Sequence, residues 1–79
     1  MAQTDKTLDI KGLVSPRPEL ITKKTLATMG PGQVLTVITT DRSTKQKLPK
    51  LCANLGCAIL ELREDRGTLY FQIQKQTES

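Results

Sequence analysis

Apolar and polar positions along the chain change period several times, and each change marks an element. Residues 6–10 read as a short strand with Leu8 and Ile10 on one face. A loop over Lys11–Pro18 follows and ends in a helix start, with Ser15 placed as N-cap and Pro16 as the first helical residue. Glu19 in the first turn suits the positive end of the helix dipole. The helix is predicted to run to Met29 and to stop at Gly30-Pro31-Gly32, with Gly30 in the left-handed conformation. Pro18, Ile21, Thr25, Leu26 and Met29 form its core stripe, while Leu20, Lys23, Lys24 and Ala27 fall opposite.

Val34–Thr39 is a β-branched run between turn signals and reads as an interior strand. The next helix is predicted over Leu48–Leu55, with Pro49 in its first turn and Gly56 closing it. Leu48, Leu51, Cys52 and Leu55 recur at helical spacing, which puts Cys52 on the buried face. Residues 57–63 alternate, Ala58, Leu60 and Leu62 opposing Ile59, Glu61 and Arg63. A turn at Glu64–Gly67 leads to a strand from Thr68 to Gln74 with Leu69, Phe71 and Ile73 inward. Residues 76–79 read as a frayed tail. The order β-α-β-α-β-β predicts an α/β (α+β) two-layer sandwich: a mixed four-stranded sheet with both helices on one face.

Composition narrows the chemistry. The 79 residues fit one domain, with its core over about residues 6–75, and carry no histidine and two cysteines. Histidine-based triads and four-thiolate metal sites are therefore excluded, and no metal or cofactor is expected. A net charge of +4 leans toward anionic partners without specifying nucleic acid. The polar N-terminus has no apolar h-region, and nothing approaches ~20 consecutive apolar residues. The expectation is a cytoplasmic protein with Cys52 and Cys57 as free thiols.

One segment carries a motif: Asp9-Ile10-Lys11-Gly12-Leu13, then Ser15-Pro16-Arg17-Pro18 opening the helix. With Lys23-Lys24, the Gly30-Pro31-Gly32 turn, Thr40-Asp41, and Pro49, Cys52 and Gly56, it resembles the TusA/SirA-like sulfur carrier family. That resemblance covers roughly residues 6–75. It implies a sulfur-relay protein whose CPxP cysteine accepts a sulfane sulfur as persulfide and passes it on. It further implies donor proteins (rhodanese or cysteine desulfurase), DsrE-like acceptors, and destinations in tRNA thiolation, cofactor synthesis or sulfur oxidation. By the same resemblance Gly12, Pro16, Arg17 and Pro18 form the motif, and Leu20, Lys23 and Lys24 face partners.

Ser15 stands where that family carries its reactive cysteine. A hydroxyl is far less acidic than a thiol and forms no stable persulfide, so the chain is expected to be an inactive carrier. The intact surroundings favour an engineered Cys-to-Ser replacement over a natural variant; taken without the resemblance, Ser15 is a helix cap. Cys52 and Cys57 read as a packing pair rather than an accessory C-x4-C thiol site. Asp41, Glu61, Glu64 and Asp65 read as solvated loop charges, and Leu20 as a lone exposed leucine or a partner contact. The chain is expected to be a monomer; the alternative function is a basic nucleic-acid-binding or regulatory interaction module without sulfur chemistry, but adjacent Tyr70 and Phe71 point to opposite faces and offer no stacking platform.

Overall fold

A computed structural model describes residues 4–76. Its elements are β1 (Lys6–Asp9), α1 (Arg17–Ala27), β2 (Val34–Thr39), α2 (Thr44–Leu55), β3 (Cys57–Asp65) and β4 (Thr68–Lys75). The expected β-α-β-α-β-β order holds. The sheet runs β1-β2-β4-β3, with β1 parallel to β2 and β4 antiparallel to both of its neighbours. α1 packs on β2 and on α2, and α2 packs on β3.

The core lies between these two layers. Leu35 and Val37 of β2 face it with Leu69, Phe71 and Ile73 of β4, and Leu26, Leu48 and Cys52 close it from the helices. Phe71 is fully buried, whereas Tyr70 lies on the open sheet face with the Arg63 guanidinium 5.2 Å from its ring centroid. Of the tail, Gln76 donates its N–H to the Gly56 carbonyl at 3.1 Å, and residues 77–79 lie outside the described span.

Several expected boundaries and faces need correction. α1 ends at Ala27 rather than Met29. The positive φ at the following turn belongs to Gly32 (+86°) and not to Gly30. The Gln33 N–H donates to the Gly30 carbonyl, so Pro31 and Gly32 are the central residues of a turn that needs glycine third. The buried stripe of α1 is Pro18, Thr22 and Leu26, with Ile21 and Thr25 only half-buried.

α2 begins at Thr44, a full turn before Leu48, and Pro49 sits inside it. Pro49 lies on the exposed side, where water can serve the carbonyl its missing N–H leaves free. Gly56 closes the helix as expected, with φ +71° and its N–H on the Cys52 carbonyl.

In β3 a bulge between Ile59 and Glu61 switches the faces. Cys57 and Ile59 pair with Lys75 and Ile73 on the helix side; beyond the bulge Leu62 pairs with Phe71 and Glu64 with Leu69. Leu62, expected to share a face with Ala58 and Leu60, therefore separates from Ala58, and Leu60 is left unpaired in the bulge. Leu60 and Leu62 remain exposed, at 44% and 42%.

Candidate functional site

The loop between β1 and α1 is anchored by its backbone to the end of β2. Gly12, at φ +88°, donates its N–H to Thr40 Oγ1 at 3.0 Å. The Ser15 N–H donates to Asp41 Oδ2 at 2.6 Å. The Ser15–Pro16 peptide bond is cis. Arg17 then donates to the Val14 carbonyl at 3.0 Å and Leu20 to the Pro16 carbonyl at 3.2 Å, which starts the helix.

Pro16, not Ser15, holds the cap position, and no side chain bonds the free N–H groups there. The expected cap is thus displaced by one residue. Pro18 takes an early helical slot in which no N–H is required. Ser15 spends its hydroxyl elsewhere: Oγ donates to Glu19 Oε2 at 2.8 Å and accepts from Lys47 Nζ at 2.6 Å. Lys47 Nζ also lies 3.8 Å from Glu19 Oε2. A carboxylate from α1 and an ammonium from α2 therefore flank one half-buried hydroxyl.

This trio is unsuited to nucleophilic catalysis by serine. A lysine acts as base when burial leaves it neutral. Lys47 has a side chain 47% exposed and stands beside a carboxylate, the reverse of that environment. Arg17, expected to assist at this position, makes no hydrogen bond or ion pair with Ser15 among the described residues. Lys47 supplies the cation instead.

Asp41 is the residue that sequence reasoning undervalued. Its Oδ1 accepts from the Ser43 N–H at 2.9 Å and from the Ser43 hydroxyl at 2.7 Å, while Oδ2 holds the Ser15 N–H. The Thr44 N–H and hydroxyl both donate to the Asp41 carbonyl. One residue thereby fixes the approach to α2 through Ser43 and Thr44 and, through its carboxylate, pins the loop before α1. The Ser43 hydroxyl, then the Ser43 and Ser15 N–H groups and the Lys47 charge, hold its carboxyl below the usual range. An Asx turn, with Asp41 two residues before Ser43, was the available signal.

Glu64 is likewise no free loop charge. It pairs with Lys45 Nζ at 2.8 Å and Arg42 Nη1 at 2.7 Å, tying the hairpin to the start of α2. These bonds, Lys45 first, hold its carboxyl down to about 2.

The remaining site candidates disperse. Leu20 is 54% exposed, and Val14, not singled out from the sequence, is 68% exposed. Lys23 and Lys24 do not share a patch: Lys23 lines a cavity toward α2 and β4, while Lys24 lines a groove beside β1. Cys52 and Cys57 are unbridged. Burial pushes the Cys52 thiol up to about 12, as befits a core packing residue. Burial also raises the Cys57 thiol, with the Lys75 charge and the Gln76 N–H pulling partly back.

The result is a small two-layer sandwich that presents the Ser15 hydroxyl ahead of α1, backed by a loop tied to Asp41. The family model for sulfurtransferase TusA matches residues 6–75, and the chain belongs to that sulfur carrier family. It is 39% identical over 74 residues to the sulfur carrier protein TusA of Pseudomonas entomophila, covering 94% of this chain and 92% of that one. The TusA protein of Pseudomonas aeruginosa is 36% identical, with 94% of each chain covered. The crystal structure of a SirA-like protein from Desulfitobacterium hafniense matches with TM-score 0.79 and 31% identity, over 91% of this chain and 99% of that one.

Proposed function

We propose that this chain is the docking half of a sulfur relay, able to engage relay partners but unable to hold sulfur at position 15. The observation that carries the reading is the Ser15 hydroxyl, which heads α1 at the motif's thiol position and is bound on both sides by Glu19 and Lys47. In a persulfide transfer, a thiolate attacks the outer sulfur of a donor persulfide. A new S–S bond forms, the donor's S–S bond breaks, and the donor leaves as a thiolate. Ser15 offers no comparable nucleophile, because an alcohol is far less acidic than a thiol and its oxygen forms no stable counterpart of a persulfide.

Gly12, Pro16, Arg17 and Pro18 shape the presented loop in this reading. Leu20 and Val14 supply apolar contact around it, with Lys23 and Lys24 on either flank of α1 toward acidic partner surfaces. Donors of the rhodanese or cysteine desulfurase kind and DsrE-like acceptors are the partners proposed, in the cytoplasm. No described helix is long and apolar enough to cross a membrane.

The test is to convert Ser15→Cys, incubate both chains with polysulfide, and compare intact masses after the excess is removed. The Ser15→Cys chain is expected to gain sulfur at position 15, located by peptide mapping, while the parent gains none there. Equal uptake by both chains overturns the reading.

A further inference from the structure

At the end of α1 remote from Ser15, the two helices and the β3–β4 pair border an open cavity of about 260 Å³ lined by Lys23, Leu26, Ala27, Leu55, Cys57 and Lys75. Its lining combines Leu26, Ala27 and Leu55 with one cysteine and two lysines. Lys75 is only 5% exposed. Strand pairing sets it directly beside Cys57, on the helix side of the sheet.

The Lys75 ammonium has one acceptor, the Leu26 carbonyl near the end of α1, at 3.0 Å. That carbonyl and the negative end of the helix dipole account for one of its three protons. No carboxylate of the described residues lies within 4.0 Å of it. A buried cation without a counter-charge is costly, and Lys75 lines this cavity together with a second lysine, Lys23. No acidic residue lines that space.

We propose that this cavity binds a small carboxylate with a short apolar tail, the carboxylate meeting Lys75 and Lys23 and the tail lying along Leu26, Ala27 and Leu55. The volume falls below the ~300 Å³ that marks the lower end for drug-sized ligands, which restricts the site to small molecules. The site is separate from position 15 and does not depend on sulfur transfer.

Hexanoate is the probe, titrated into the full chain and followed by amide and methyl NMR shifts, with acetate and hexan-1-ol as comparators. Saturable shifts confined to the cavity lining are expected with hexanoate. Binding about tenfold weaker is expected for hexanol, which lacks the charge, and for acetate, which lacks the tail. Hexanoate should also slow alkylation of Cys57 by iodoacetamide. Lys75→Met keeps the apolar stem and should lose at least about tenfold in affinity. Ala27→Leu keeps both charges but fills the space, and should abolish the shifts; it also serves if Lys75→Met does not fold. Equal binding of hexanol and hexanoate, shifts spread outside the lining, or unchanged affinity in the Ala27→Leu chain overturns the proposal.

Discussion

Lys47 of α2 donates to the Ser15 hydroxyl at 2.6 Å across 32 positions of sequence, and that same hydroxyl donates to Glu19 one turn along α1. A thiol placed at position 15 meets both charges. The ammonium favours a thiolate and the carboxylate opposes it. Both partners are partly solvated, so each effect is expected to be about one pKa unit rather than several. In the Ser15→Cys chain, adding Lys47→Met should raise the thiol pKa, and adding Glu19→Gln should lower it. Thiolate ultraviolet absorbance against pH measures this, with the parent chain subtracting Cys52 and Cys57. Shifts of the same sign in both variants contradict the arrangement.

Asp41 and Glu64 predict where the fold weakens in acid. Both carboxyls are depressed, Asp41 below 3.8 and Glu64 from 4.5 to about 2. A depressed carboxyl stabilises the folded state above its unfolded pKa and loses that contribution as pH falls through its folded pKa. The melting temperature should therefore decline from about pH 4.5 downward and keep declining toward about pH 2. Asp41→Ala removes the side-chain bonds to Ser43 and the Ser15 tether together, costing about 1–2 kcal/mol at neutral pH. Glu64→Gln should flatten the acid slope with a smaller, salt-sensitive loss, because the pair is exposed. Thermal melts from pH 2 to 7 at two salt concentrations check both statements.

β2 and β4 were readable because their apolar spacing coincides with their burial. Three features were not readable, each for a physical reason. Pro49 looked like a helix start, yet α2 tolerates it inside because it lies on the solvent side. The bulge at Leu60 reverses the faces of β3, and strict alternation carries no sign of an extra residue. Lys47 and Asp41 reach the Ser15 loop only through the packing of α2 against α1, which no local pattern encodes. The charges that surround Ser15 belong to the tertiary fold.

The hairpin turn predicts a stabilising substitution. Arg66 and Gly67 are its two central residues, at φ +53° and +82°, the left-handed pair that a tight two-residue hairpin requires. Arginine is a poor occupant of that region, and Asn tolerates it far better. Arg66 takes part in no ion pair of the described residues. Arg66→Asn should stabilise the chain by about 0.5–1 kcal/mol, seen as a melting temperature a few degrees higher. A decrease would mean the arginine makes a contact in solution that outweighs its backbone strain.

Thr22 offers the opposite kind of test, in the core. It is fully buried on α1, and its hydroxyl oxygen has no hydrogen-bond partner. An unsatisfied buried hydroxyl loses its water without replacement, whereas an isosteric methyl in the same space does not. Valine keeps the shape and has a similar helix propensity, so packing and backbone preference change little. Thr22→Val should therefore raise stability by about 1 kcal/mol. Thr22→Ser retains the hydroxyl and deletes the methyl, and should lower stability by about 1 kcal/mol through the small cavity it leaves. Urea unfolding of the parent and both variants gives the order Val above Thr above Ser at unchanged m-value. If Thr22→Val is instead the least stable, the hydroxyl holds an ordered water that ties α1 to its surroundings.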